Sequence, residues 1–278
     1  MSKIALVTGA SSGIGEATAL RLASMGITTY AAARRTERME HLKSHGIRIR
    51  QLDLTDEKSI QGCVAGICAE SGGIDILINN AGYGSYGSIE EVPLSEARRQ
   101  FEVNLFGLAA LTQLVIPRLR QQRRGWIINI TSIAGIHALP YGGWYHATKF
   151  AVEGLSSALR QELQPFDVNV VIIRPGLIKT EWSNIATQSL TEVSGKGPYA
   201  AAVRAIYTLF KSDKITNLAA APSVIADVVQ KIVLAKHPRS VYTAPFAGRL
   251  MVRLGKLAGC DYLRDRINRV FMGLPRKM

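Results

Sequence analysis

Seven short runs of apolar and β-branched residues recur along the chain, each followed by a longer stretch of helical periodicity. They occupy residues 3–8, 28–33, 47–53, 74–79, 126–131, 168–174 and 240–243. Most are solid apolar rather than alternating, as expected of strands covered on both faces. Strands alternating with helices predict an α/β fold, a doubly wound parallel sheet of about seven strands. Right-handed crossovers then place a ligand outside the carboxyl ends of the strands.

The chain of 278 residues is long enough for one large domain, read here as residues 1–245. Within it, residues 177–222 hold Gly195, Gly197 and Pro198 and little sheet character, and read as a lid. Residues 246–278 form a basic extension. Met1-Ser2-Lys3 leads straight into the first run with no signal-peptide pattern, and no apolar run is long enough for a bilayer. We therefore expect a cytoplasmic chain. The three cysteines, Cys63, Cys68 and Cys260, form no CxxC pair, and we expect no metal site.

The turn after the first run is Thr8-Gly9-Ala10-Ser11-Ser12-Gly13-Ile14-Gly15. Glycines allow a sharp turn and the close approach of a pyrophosphate, and the amino end of the next helix offers free N–H groups and partial positive charge. The plain alternative is a tight bend. Its place after the first strand favours the phosphate reading. An NAD site usually carries Asp or Glu about 20 residues further on. Here Arg34 follows Gly15 by 19 residues, Arg35 comes next, and no acid stands between Tyr30 and Ala33. Guanidinium groups suit a 2′-phosphate, so NADP(H) is favoured; the alternative is two solvated arginines. Asp53-Leu54 ends the third run, where Asp53 can accept from an adenine amino group or cap the following helix. Asn80-Ala81-Gly82 ends the fourth, where small residues let the backbone lie beside a cofactor.

Tyr145 and Lys149 share a helix face at i, i+4. A phenol titrating near pH ~10 is a poor base at neutral pH, and a neighbouring ammonium favours its anion. Such a pair can exchange a proton with a substrate hydroxyl while a nicotinamide exchanges hydride. Ser132 lies 13 residues before Tyr145, at the end of a strand, where a hydroxyl can bind a substrate oxygen or cap a turn. Asn104 is polar within an apolar helix: either a satisfied buried amide or the holder of a water.

Together these motifs closely resemble the short-chain dehydrogenase/reductase family in its single-domain form. The residues carrying the resemblance are Thr8-Gly9, Gly13-Ile14-Gly15, Asn79-Asn80-Ala81-Gly82, Asn104, Ser132, Tyr145, Lys149 and Pro175-Gly176, in family order over about residues 3–245. The resemblance implies a Rossmann fold and an oxidoreductase acting on a ketone or secondary alcohol. It makes Tyr145 the general acid/base and has Lys149 lower its pKa and bond the nicotinamide ribose. Ser132 would orient the carbonyl and Asn104 anchor a relay water. Pro175, Gly176, Ile178 and Thr180 would line the nicotinamide side. It also implies a homo-oligomer, formed through residues 95–120 and 145–163.

The extension looks like that of members acting on steroids, retinoids or acylated lipids, and Leu139, Tyr141, Trp144, Trp182, Leu190 and Tyr199 suggest apolar walls. A free lipophilic ketone is the preferred substrate; a 3-oxoacyl group on a carrier protein or CoA is the alternative. From another class, the chain could be a non-catalytic NADP-sensing or interaction protein, against which the intact catalytic set argues. From Lys236 onward ten Lys/Arg face two Asp, leaving +8 of the total +13 in the tail. No nucleic-acid motif accompanies it, and we expect no nucleic-acid partner. In the tail Leu250, Leu254, Leu257 and Ala258, and then Ile267, Val270 and Phe271, fall at helical spacing among Arg249, Arg253, Lys256, Arg264, Arg266 and Arg269. Such a helix either packs its apolar stripe on the core or makes peripheral contact with an anionic membrane.

Overall fold

A computed structural model describes residues 3–257 and 261–274 of the chain. The expectations attached to Ala258 and Cys260 fall outside the described residues. Seven parallel strands form one sheet in the order β3-β2-β1-β4-β5-β6-β7. They are β1 (Ile4–Thr8), β2 (Thr28–Ala33), β3 (Arg48–Gln51), β4 (Ile76–Asn79), β5 (Gly125–Ile130), β6 (Val168–Pro175) and β7 (Val241–Ala244). The helices are α1 (Gly13–Ser24), α2 (Glu57–Ser71), α3 (Leu94–Phe101), α4 (Gly107–Gln122), α5 (Gly143–Leu163), α6 (Trp182–Ser194), α7 (Ala200–Lys211), α8 (Asp213–Leu218), α9 (Ser223–Leu234), α10 (Phe246–Leu257) and α11 (Asp261–Phe271).

The solid apolar runs are explained by two cores. Alternate strand residues face opposite layers, so Val7, Ala31, Ile78, Ile128, Val171 and Ile173 meet α1 and α9 through Leu22, Ile225 and Val229. Leu6, Tyr30, Leu77, Ile127 and Val170 meet α2 and α4 through Ile67, Leu111 and Leu119. Each such side chain, once fully buried, contributes roughly 1.5–3 kcal/mol, so neither strand face tolerates a polar residue without a partner. Buried polar groups do occur where partners exist. Asn79 donates to Asn129 (2.8 Å) and Thr112 (3.0 Å), and Asn129 donates to Ser156 (2.8 Å), tying β4 and β5 to α4 and α5.

Strand order reverses at β1, which pairs with β2 on one side and β4 on the other. At that point the connections diverge to opposite faces and leave a crevice at the carboxyl ends. Residues 177–222, read from the sequence as a lid, contain the helices α6, α7 and α8. The stem of this segment is fastened by the Ile178–Ala220 bridge, with Lys179 N donating to Ala220 O (2.9 Å) and Ala220 N to Leu177 O (3.0 Å).

Candidate active site

The crevice is floored by the glycine turn. Gly9 turns at φ +65°, and a Cβ there would lie 2.8 Å from Ala81 Cα. Gly15 is in still closer contact: a Cβ would fall 2.4 Å from Gly9 O and 2.6 Å from Asn80 Nδ2. Its absence of a side chain seats α1 against the turn. Asn80 fixes the other wall, donating from Nδ2 to Thr8 O (2.9 Å), while its own N–H and that of Ala81 donate to Thr8 Oγ1 (both 3.0 Å). Ser12, the N-cap of α1, caps no amide with its side chain, so the first-turn N–H groups remain for a ligand.

Gly9, Ser11, Ser12, Gly13, Ile14, Arg34, Arg35, Asp53, Leu54, Asn80, Ala81, Gly82 and Thr180 line one continuous groove. Gly13 brings the turn close to the lid stem, since a Cβ would lie 2.9 Å from Thr180 Cγ2. Asp53 accepts from Thr55 N (2.9 Å) and Oγ1 (2.8 Å), while Asp56 caps α2 through Lys58 N. Partial burial pushes the Asp53 carboxyl up, but the Thr55 bonds and the charges of Arg34 and Arg99 outweigh it and hold the group below its ordinary value. Pro175, Gly176 and Ile178 pack behind the groove. Pro175 pairs with Ala244, Gly176 abuts Gly248 of α10, and Ile178 packs on the α1–α9 core.

Tyr145 and Lys149 stand on the first turns of α5, just past the Gly82 end of the groove. A Cβ on Gly82 would be 3.7 Å from Lys149 Nζ, and the Tyr145 ring lies 5.1 Å from that of the groove-lining Trp182. Lys149 Nζ is 5.9 Å from the Tyr145 ring centre and donates to Ile130 O (3.1 Å). The Tyr145 phenol does not carry the lowered pKa expected from Lys149: burial pushes it up to about 12, and the opposing pull is a hydrogen bond from Ser132. Burial pushes the Lys149 ammonium down to about 8, partly offset by the Glu153 carboxylate. Ser132 also accepts from Ala134 N (3.0 Å), capping the short turn Ile133–Gly135 while its hydroxyl meets Tyr145.

Asn104 lies in a π-helical turn, Glu102–Phe106, between α3 and α4, a distortion often found near functional sites. Its amide accepts from Tyr83 N (3.1 Å) and donates to Tyr83 O (2.9 Å) and Thr148 Oγ1 (3.1 Å). It thereby clamps the chain after Gly82 onto α5.

Leu139, Tyr141, Trp182, Leu190 and Tyr199 gather, as expected from their apolar character, in one cluster with Tyr86 and Tyr145. Trp144 does not join them; its indole stands edge-on to Phe101. Residues that sequence reasoning missed are Tyr83, Tyr86, His146 and Glu181. Tyr83 follows the small-residue motif directly and could have been read with it. Tyr86 joins Tyr145 and Trp182 in a three-ring cluster, tilted against the first and edge-on to the second (centres 6.0 and 5.6 Å). His146 bridges the loop over the site, bonding Ala134 O through Nδ1 (3.0 Å) and accepting from Leu139 N at Nε2 (3.1 Å). Glu181, on the lid, pairs with Arg38 (2.9 Å) and reaches Arg35 (3.9 Å), with no local pattern to announce it.

The donor set fits a dinucleotide: a helix amino end and glycine floor suit the pyrophosphate, and Arg34 and Arg35 line the same groove, Arg35 lying 3.9 Å from Glu181. Comparison with known proteins agrees with this architecture. The family model described as short chain dehydrogenase matches residues 3–190. The 3-ketodihydrosphingosine reductase of Bacteroides thetaiotaomicron is 36% identical over 238 residues, 85% of each chain. The NADPH-dependent 3-dehydrocapnine reductase of Ornithobacterium rhinotracheale is 32% identical over 279 residues, 95% of each chain. A crystal structure of a short-chain dehydrogenase from Streptomyces avermitilis superposes with a TM-score of 0.82 at 28% identity, covering 99% of both chains. With its reversed parallel sheet, its glycine groove and its Tyr145–Lys149 pair, the chain belongs to the short-chain dehydrogenase/reductase family of oxidoreductases.

Proposed function

We propose that the protein is an NADP(H)-dependent reductase of a lipophilic ketone, reversible toward the secondary alcohol. The observation that carries this reading is the buried Tyr145 phenol beside the Lys149 ammonium at the end of a groove whose other rim carries Arg34 and Arg35. Bound nicotinamide supplies or takes up the hydride. The chain's own residues handle the proton and the alignment. With its pKa near 12 the Tyr145 Oη holds a proton at neutral pH, ready to donate to a carbonyl oxygen. Ser132 offers a hydroxyl to the same oxygen. Lys149, still largely charged at neutral pH, stabilises the phenolate that donation leaves behind. Tyr86 and Trp182 over the phenol exclude water, which strengthens each of these interactions.

Preference for NADP(H) is supported by the two rim arginines and by the NADPH dependence of the Ornithobacterium relative. A lipophilic substrate is supported by a largely apolar, open pocket of about 530 Å³ walled by Ile89, Pro140, Tyr141, Tyr199, Ala202 and Leu274, with Ser88, Glu90 and Arg269 also lining it. Tyr141 is held there at φ +64°, a left-handed conformation that costs a bulky residue about 1–2 kcal/mol. The two reductases of 3-ketodihydrosphingosine and 3-dehydrocapnine point the same way. A homo-oligomer is supported by exposed Phe106 and Leu114 near and on α4, and by Phe150 and Leu155 on α5.

The test is a panel of ketones and alcohols with NADPH and NADH in parallel, run on the wild type and Tyr145→Phe. Turnover in the variant should fall by roughly 10²–10⁴-fold while NADPH still binds. Undiminished turnover by Tyr145→Phe would remove the basis of the proposal.

A further inference from the structure

Helix α11 is docked by the wrong face for a simple core helix. Its buried residue is Asn268, and Met272, just past its end, is buried as well. His137 Nε2 pairs with Asn268 Oδ1 (3.1 Å), and Met272 enters the aromatic cluster near Tyr145. The opposite side carries Tyr262, Leu263, Ile267 and Val270, which are 76%, 45%, 52% and 76% exposed. Leu263, Ile267 and Val270 follow i, i+4, i+7 spacing and form one stripe, with Arg266 beside it. Helix α10 likewise exposes Phe246 and Leu250, 67% and 47%, at i, i+4. An apolar stripe of this size, left to water by a helix that could have buried it, marks a contact surface.

The geometry points to an anionic lipid surface as the partner of this α11 stripe. Charge decides against a second copy of the chain. The segment from Lys236 onward carries +8, so two copies meeting there would bring like charges together, whereas anionic headgroups attract it. Copies have a less charged apolar alternative in Phe150 and Leu155 of α5. The stripe and its arginines have the composition of a helix lying in the plane of a bilayer, apolar side chains among the acyl chains and guanidinium groups at the phosphates. No described helix is long and apolar enough to cross a membrane, so the contact is peripheral. The inner flank of the same helix supplies Arg269, next to Leu274, to the apolar cavity described above. Membrane contact would therefore set that cavity beside the reservoir of a lipophilic substrate. The membrane inference itself does not depend on the proposed reaction.

The experiment is flotation of the full-length protein with vesicles of phosphatidylcholine alone and with about one third phosphatidylglycerol, at low and high salt. The comparison is the double variant Leu263→Glu, Val270→Glu, both at exposed positions. Wild type should float with the anionic vesicles and less at high salt, and the variant should float about tenfold less. Thermal melting and NADPH binding unchanged in the variant show that the fold is intact. The inference is overturned if wild type fails to float, if neutral vesicles serve equally well, or if the folded variant floats as wild type does. It is also overturned if sedimentation shows that the stripe holds two copies together and the substitutions merely separate them.

Discussion

Replacing Lys149 by Met should make the protein more stable and inactive at once. The side chain is 6% exposed, and its pKa falls from 10.5 to about 8 because burial disfavours the ammonium. At about 1.4 kcal/mol per unit, holding the charge in the folded state costs about 3 kcal/mol at neutral pH. Methionine has a similar length and no charge to desolvate. Against this, the Ile130 carbonyl loses its 3.1 Å donor. A buried acceptor left unpaired costs about 1–3 kcal/mol. The net gain is then between zero and about 2 kcal/mol, or up to roughly 8 °C in Tm for a chain of this size. The pH dependence is the sharper check. The folded pKa lies below the unfolded one, so between pH 8 and 10.5 the unfolded chain binds more protons and wild-type stability rises with pH. Lys149→Met lacks that rise, so its advantage should shrink from about pH 8 upward and reverse near pH ~9. Urea denaturation of both proteins without cofactor, at several pH values, measures this. A variant less stable at pH ~7, or one whose pH dependence parallels wild type, would refute the claim that Lys149 is held charged at a cost.

Gly15→Ala should destabilise the fold by about 2–3 kcal/mol and weaken NADPH binding, because its Cβ would meet backbone 2.4 Å away, whereas Gly62→Ala in α2 meets nothing and should gain up to about 1 kcal/mol; chemical denaturation of the pair checks both. Arg34→Glu should lower kcat/KM for NADPH by about tenfold or more while sparing NADH, since a charge-assisted contact to a 2′-phosphate is exchanged for repulsion; parallel steady-state kinetics would show it, and equal losses with both cofactors would count against it. Burial lowers the His146 pKa below 6.5, so the neutral ring bridging Ala134 and Leu139 must be charged against the fold as pH falls. Stability should therefore decline from about pH 6.5 downward, and the decline should be shallower in His146→Asn when unfolding is followed across that range.

All seven strands could be placed within about two residues; the inner ones are apolar because parallel strands are covered on both faces, while the partly exposed edge strands β3 and β7 were placed by the alternation with helices. The Tyr145–Lys149 spacing was equally legible, since i, i+4 is one helical turn, and so was the glycine turn, whose positive φ at Gly9 and Gly13 is a local requirement, although the close contacts of Gly9 with Ala81 and of Gly13 with Thr180 are not local. Glu181 was not: its pairing with Arg38 spans 143 residues and leaves no mark on either neighbourhood. Nor could spacing tell that Asn104 would sit in a π-turn and grip Tyr83, because the i to i+5 register there is set by what α3 and α4 pack against. The tail draws the same line most clearly. Its periodicity determined that residues 261–271 form an amphipathic helix, and its composition that the helix is basic. Which face docks was decided only when His137 and the aromatic cluster offered sites for Asn268 and Met272. A helical period defines two faces, and the energy of burying one depends on the surface it meets, which no local pattern contains.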